Sequence, residues 1–151
     1  MRVGDTCNRN VVVIELADTI VEAARRMRTH HVGDLVAVIP ERGGLVPVGV
    51  LTDRDLVVGV LAKDVEHIAS LTVGDVITTE PILAREDEDL SVVLDRMRRN
   101  VVRRMPVVNA AGLLVGIFTL DDLLAILAED VASIGALVSR QRTYEAERRP
   151  S

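Results

Sequence analysis

The stretch Gly49-Val50-Leu51-Thr52-Asp53-Arg54-Asp55 occurs again as Gly116-Ile117-Phe118-Thr119-Leu120-Asp121-Asp122. A glycine, a threonine and an aspartate return at the same spacing. Working outward, Val3-Gly4-Asp5 returns as Val73-Gly74-Asp75, and the apolar positions Ile20, Ala23, Ala24 and Met27 return as Leu90, Val93, Leu94 and Met97. These earlier matches are offset by 70 residues and the later ones by 67, so the second copy has a connection three residues shorter. A duplicated unit of this kind points to a paired site and makes a solitary active centre less expected.

Composition narrows the functional classes. Hydrophobic residues make up 48% of the 151 and aromatic residues only 1%. The core must therefore be built from Val, Leu, Ile, Ala and Met, and each repeat alone is near the size at which a core is marginal, so the halves are expected to share one. The shortage of aromatic rings argues against binding single-stranded nucleic acid. A formal net charge of −5 argues against a phosphate-backbone binder. Cys7 stands alone, which rules out an internal disulfide and a cysteine-based zinc site. No signal peptide and no membrane-length apolar run is apparent, so the expected location is the cytoplasm.

The periodicities order the chain. Val11–Ile14 reads as a strand and Ile20–His31 as an amphipathic helix capped by Asp18 or Thr19. Leu35–Ile39 and Val46–Leu51 read as strands joined by a turn through Glu41-Arg42-Gly43-Gly44. A second helix starts at Asp53 or Arg54 and runs to about Ala62, followed by a connector over Lys63–Leu71. The second copy repeats the order with strand Ile82–Ala84, helix Asp89–Asn100, strands Met105–Val108 and Leu114–Phe118, and a helix from Leu120. That last helix carries Leu124, Leu127, Val131, Ile134 and Val138 at alternating spacings of three and four, either core packing or a dimer seam, and the charged tail from Arg140 is expected to fray. Each unit is thus strand–helix–strand–strand–helix, an α/β (α+β) arrangement of helices against a small sheet.

The repeated heptapeptide carries two readings. Thr52 and Thr119 fall where strand gives way to helix, and Asp55 and Asp122 fall in the first helical turn. A carboxylate there suits the adjacent hydroxyls of a ribose, and nearby helix N–H groups favour an anion. The same Thr-x-x-Asp pattern is also a helix capping box, which contributes about 1 kcal/mol and needs no ligand. His30, His31 and His67 offer no repeated metal-ligand spacing, and Cys7 has no supporting base, so neither a metal site nor a catalytic residue is assigned.

With HHVGDLVAV, PVGVLTDRD, RRMPVV and GIFTLDD in these positions, the chain resembles a tandem pair of CBS domains, often called a Bateman module. The resemblance covers residues 3–130. It implies repeat 1 over 3–65, a connector over 66–72, repeat 2 over 73–130 and a helical extension with a charged tail over 131–151, in a pseudo-twofold module with clefts between the repeats. It implies a regulatory protein, not an enzyme, with no required cofactor. Its ligand would be adenosine-containing: AMP, ADP, ATP, S-adenosylmethionine or NAD. The resemblance implies a homodimer and a protein effector of unknown identity. It also implies site residues. Asp55 and Asp122 would hold ribose, Thr52 and Thr119 would lie near ribose or phosphate, and Val11, Val12 and Leu35, then Pro81, Ile82 and Met105, would flank the base. Arg103 and Arg104, ahead of Pro106, would meet phosphate. Their counterparts Gly33 and Asp34 would not, so repeat 2 is expected to favour a phosphorylated nucleotide and repeat 1 to be empty or to hold an uncharged or cationic group. The alternative is a ligand-free structural dimerisation or interaction module.

Overall fold

A computed structural model describes residues 1–63 and 66–148. The chain divides into two compact units, Met1–Phe118 and Thr119–Ser151. In the first, α1 (Val3–Thr6) leads to β1 (Val13–Glu15), α2 (Ile20–His30), β2 (Asp34–Glu41) and β3 (Gly44–Thr52). The second copy gives α3 (Val73–Val76), β4 (Ala84–Arg85), α4 (Leu90–Asn100), β5 (Arg104–Val108) and β6 (Leu114–Thr119), and α5 (Leu120–Glu147) follows. Two three-stranded sheets form, ordered β1-β2-β3 and β4-β5-β6. The outer strands β1 and β4 run parallel to their neighbours, with Val13 opposite Val36 and Ala84 opposite Val107.

The repeats clasp each other reciprocally. Val3 N–H donates to Glu88 O at 3.0 Å and Val73 N–H to Asp18 O at 2.8 Å; Gly4 N–H donates to Glu86 O at 3.0 Å and Gly74 N–H to Leu16 O at 2.9 Å. Every partner in these pairs is offset by the same 70 residues. Each short arm therefore docks on the other repeat, as a pseudo-twofold relation requires. The shared core follows from it. Val73 of repeat 2 is buried with Ile14, Met27, Leu35 and Leu51 of repeat 1, and Val36 and Val38 of β2 pack with Ile117 of β6.

Several elements differ from the sequence expectation. β1 begins at Val13 and β4 is only Ala84–Arg85, the residues before them lying outside the strands although Val36 N–H still reaches Val12 O at 3.0 Å. The four-residue helices α1 and α3 are too short to show a period. The expected second helix of repeat 1 is a π-helix over Asp55–Leu61, with Ala62 N–H reaching Val57 O at 3.0 Å. A β-branched run, Val57-Val58, followed by Gly59 and Val60 weakens the ordinary helical ladder there. The connector contains a 3-10 turn at Ile68–Ser70, and its positions 64 and 65 lie outside the described residues. α5 does not fray at Arg140 but continues to Glu147. The seam residues on α5 are exposed, from 45% at Val138 to 69% at Val131, so they are not core packing. Among the described residues no helix is long and apolar enough to cross a membrane.

α2 and α4 both end on a left-handed residue that is not glycine, His31 and Val101, each with φ 54°. Val101 is 89% exposed, so its side chain gains little from burial while its β-branch strains the backbone. Val101→Gly is expected to stabilise the protein by about 0.5–1 kcal/mol, seen as a higher denaturation midpoint in urea; a lower midpoint would contradict the strain.

Candidate functional site

Both heptapeptides form closed capping boxes. Thr52 N–H donates to Asp55 Oδ2 at 2.8 Å, and Asp55 N–H donates to Thr52 Oγ1 at 3.1 Å. In the second unit, Thr119 N–H and Asp122 N–H make the same exchange, each at 3.1 Å, and the Thr119 hydroxyl donates to Asp122 Oδ2 at 2.7 Å. The pattern is not confined to these two places. Thr19 accepts from Glu22 N–H at the start of α2, and Thr72 exchanges bonds with Asp75 at the start of α3. The Thr72 backbone N–H, and then its hydroxyl, hold the Asp75 carboxyl below the usual aspartate range. So the threonines and aspartates are turned toward helix starts. The bonds described for Asp55 and Asp122 all use Oδ2, which leaves Oδ1 of each without a bond among the described residues. Asp55 is exposed and Asp122 half-buried.

The apolar candidates separate by burial. Leu35, Met105 and Pro106 are fully buried and belong to the core. Leu35 and Met105, expected to flank a base, and Pro106, expected behind the basic pair, present no surface of their own in this arrangement. Val12 and Ile82, like Val11 and Pro81, are half-buried and present surface. Val12 lines an open groove of about 770 Å³ along α2 with Arg25, Arg26 and His30. A groove of about 610 Å³ lies along α4 at Asp95, Arg96, Arg99 and Asn100, the positions offset by 70. Nothing in the sequence periodicity pointed to these grooves.

The two residues of the basic pair are placed differently from each other. Arg103 is exposed. Arg104 Nε forms an ion pair with Asp34 Oδ2, the two side chains being 33% and 20% exposed. The two charges at these equivalent positions therefore meet each other. Asp34 is also the strand partner of Thr52, and Gly33 O accepts from Asp53 N–H at 3.0 Å. Directly opposed residues project from the same face of a sheet. The Asp34–Arg104 pair thus stands beside the Thr52–Asp55 box. The available signal was the offset itself, since residues 34 and 104 are equivalent positions carrying opposite charges.

Comparison with known proteins agrees with this architecture. A family model for the CBS domain matches residues 3–61 and 73–129. The protein MK0525 of Methanopyrus kandleri, itself uncharacterised, is 31% identical over 132 residues, 87% of this chain, which spans 65% of that protein's length. Two solved structures are similar. CBSX2 in complex with AMP is 27% identical with a TM-score of 0.69, covering 85% of this chain and 96% of its own. The CBS domain pair of MJ0100, in complex with 5′-methylthioadenosine and S-adenosyl-L-methionine, is 26% identical with a TM-score of 0.71, covering 86% and 98%. With two matched copies clasped about a pseudo-twofold axis, this chain belongs to the CBS-domain family as a CBS pair.

Proposed function

We propose that this CBS pair is a regulatory module that binds an adenosine-containing ligand through Thr52 and Asp55, and through Thr119 and Asp122, and signals occupancy to a protein effector. The observation that carries the reading is the unused Oδ1 of Asp55 and of Asp122. One oxygen of each carboxylate caps a helix, and the other can accept from ribose hydroxyls. Val12 and Ile82 supply apolar surface for a base. Similar CBS pairs have been solved with AMP, 5′-methylthioadenosine and S-adenosyl-L-methionine, which supports the ligand class. The ligand acts by population shift, so it must bind one arrangement of the halves more tightly than another. No residue is assigned a catalytic role.

Thermal unfolding with AMP, ATP, NAD, 5′-methylthioadenosine and S-adenosylmethionine tests the reading. A true ligand at about 100 times its Kd adds about 2.7 kcal/mol of stability. Asp55→Asn is expected to weaken that ligand about tenfold while leaving the unliganded unfolding free energy within about 0.5 kcal/mol, since an amide oxygen still accepts the capping bond. If no compound shifts the transition, the ligand-free interaction module is the better account. Four Thr-x-x-acid caps among the described residues are the observation that favours that second reading. The exposed stripe on α5 supports self-association, and we read the protein as a homodimer; sedimentation equilibrium showing a monomer at micromolar concentration would count against this.

A further inference from the structure

The helix that follows the first capping box holds one residue more than its counterpart. Leu56 matches Leu123 at an offset of 67, but Val60-Leu61-Ala62 matches Ile126-Leu127-Ala128 at an offset of 66. The hydrogen bonds give that change its meaning. Ala62 N–H bonds to Val57 O, five residues back, at 3.0 Å. In α5 the matched residues, Leu124 and Ala128, stand four apart, the spacing of an α-helical bond. The π-helix thus takes up a single inserted residue. Val60 stays buried at 4% exposure, while Val57, Val58 and Leu61 are 49–55% exposed. Between this turn and α2 lies an apolar pocket of about 180 Å³, lined by Ile20, Ala24, Leu56, Val60, Leu61 and Ile68.

We propose that Asp55–Leu61 is a two-register segment whose register is set by the Thr52–Asp55 box. With the box closed, the inserted residue sits in the wide turn, as observed. With the box open, the inserted residue passes back toward Thr52 and the turn tightens to an α-helix. Val57, Val60 and Leu61 then fall at i, i+3 and i+4, one apolar face, and Val57 turns in over the pocket. Three observations carry this. A π-turn is rare and persists only where its surroundings hold it. The pocket has room, since a dry cavity of about 150 Å³ already takes a benzene ring. Asp55 is both the first residue of the π-helix and a member of the box, accepting from Thr52 N–H and donating its own N–H to Thr52 Oγ1. A group held by Asp55 with the box closed selects the wide turn, and one that draws Asp55 away selects the α-helix. Either choice changes the outward patch of Val57, Val58 and Leu61. The module proposed above thereby gains a way to pass on occupancy; the switch rests on that reading only for the identity of what engages Asp55.

Amide hydrogen exchange on the full chain tests the switch without any ligand. A Cβ on Gly59 would meet nothing within 4 Å, so deleting Gly59 removes the extra residue without taking a side chain from the core. That variant is expected to fold, with Leu61 and Ala62 exchanging about tenfold more slowly than in the wild type. Deleting the exposed Val58 makes the same comparison should the first variant be unstable. Asp55→Ala opens the box. It is expected to slow the same two amides about threefold in the otherwise native chain, and to change them less than about twofold once Gly59 is deleted. A cap that served only its own helix predicts the opposite, because uncapping frays the adjoining turns. Unchanged or faster exchange in Asp55→Ala, or unchanged exchange on deletion, overturns the proposal. Failure of every adenosyl compound to bind overturns the reading above and not the switch.

Discussion

Glu88→Ala is expected to lower the unfolding free energy by about 2–3 kcal/mol, against about 1 kcal/mol for Asp18→Ala at the equivalent position. Glu88 is the centre of a local network. Its Oε2 accepts from Arg85 N–H at 2.8 Å and from Arg96 Nη1 at 2.9 Å, and its Oε1 accepts from Arg96 Nη2. Arg96 Nη1 also donates to Leu83 O at 2.7 Å, which ties α4 to the lead-in of β4. With Glu88 23% and Arg96 31% exposed, neither is fully compensated by water when the other is removed. In repeat 1 the same construction is looser. Asp18 Oδ2 accepts from Glu15 N–H at 3.0 Å but lies 3.5 Å from Arg26, which turns instead to Glu22 and Val13 O. Urea denaturation of the two variants measures the difference, and equal losses would contradict it.

The same network has a pH signature. The Arg96 guanidinium, and then the Arg85 N–H, hold the Glu88 carboxyl below the ordinary glutamate range despite partial burial. The group binds its proton more weakly folded than unfolded. Its contribution is therefore fully present above the unfolded pKa and is lost as pH falls through the depressed folded value. Between about pH 7 and about pH 3 the wild type should lose stability more steeply than Glu88→Gln, with the two curves converging at the acid end. Parallel curves would show that Glu88 is not coupled to folding in this way.

Gly4→Ala is expected to cost about 2–3 kcal/mol, and Gly74→Ala no more than about 1 kcal/mol. The two glycines are equivalent positions on reciprocal arms, so the contrast isolates packing from helix propensity. A Cβ on Gly4 would stand 2.7 Å from the carbonyl oxygen of Glu86 and 2.9 Å from its Cβ; on Gly74 it would meet Leu16 O at 3.3 Å. The first contact is with backbone of the other repeat and is relieved only by moving the arm. That movement would strain the Gly4 N–H bond to Glu86 O and the neighbouring Val3 N–H bond to Glu88 O. Loss of the reciprocal clasp would also loosen the two repeats, so Gly4→Ala is the variant in which ligand binding and stability should fall together. Similar stabilities for the two alanine variants would show that the arm yields freely.

How far the residues announced the result depends on the range of the interactions involved. The amphipathic spacing of Ile20, Ala23 and Met27 and of Leu90, Val93 and Met97 marks α2 and α4, because burial of one face every 3.6 residues leaves a periodic trace. The strands β2, β3, β5 and β6 are marked by β-branched runs between turn residues, and Gly43 and Gly112 supply the positive φ that those turns need. The arms α1 and α3 carry no such trace, being one turn long and held by bonds to the other repeat. The π-helix after Thr52 was hidden for a related reason, since Asp55–Leu61 has the apolar content of an α-helix and only its hydrogen bonds reveal the wider turn.

The Thr-x-x-Asp sites were visible as residues but not as geometry. Spacing alone placed Thr52 with Asp55 and Thr119 with Asp122 at helix starts, as capping requires. It could not say which carboxylate oxygen each cap would leave unused. Burial of Leu35, Met105 and Pro106 could not be read either, because β2 and β5 are apolar on both faces and only packing decides that both are covered.

By itself, the order of the residues determined the duplication, the elements with a period and the family, all of which rest on local chemistry repeated along the chain. Tertiary structure alone decided that the arms cross between the repeats and that Asp34 and Arg104 neutralise each other at the axis. Those outcomes depend on which distant residues the pseudo-twofold packing brings together, and a charge far away in sequence leaves no local signature until folding places it within reach.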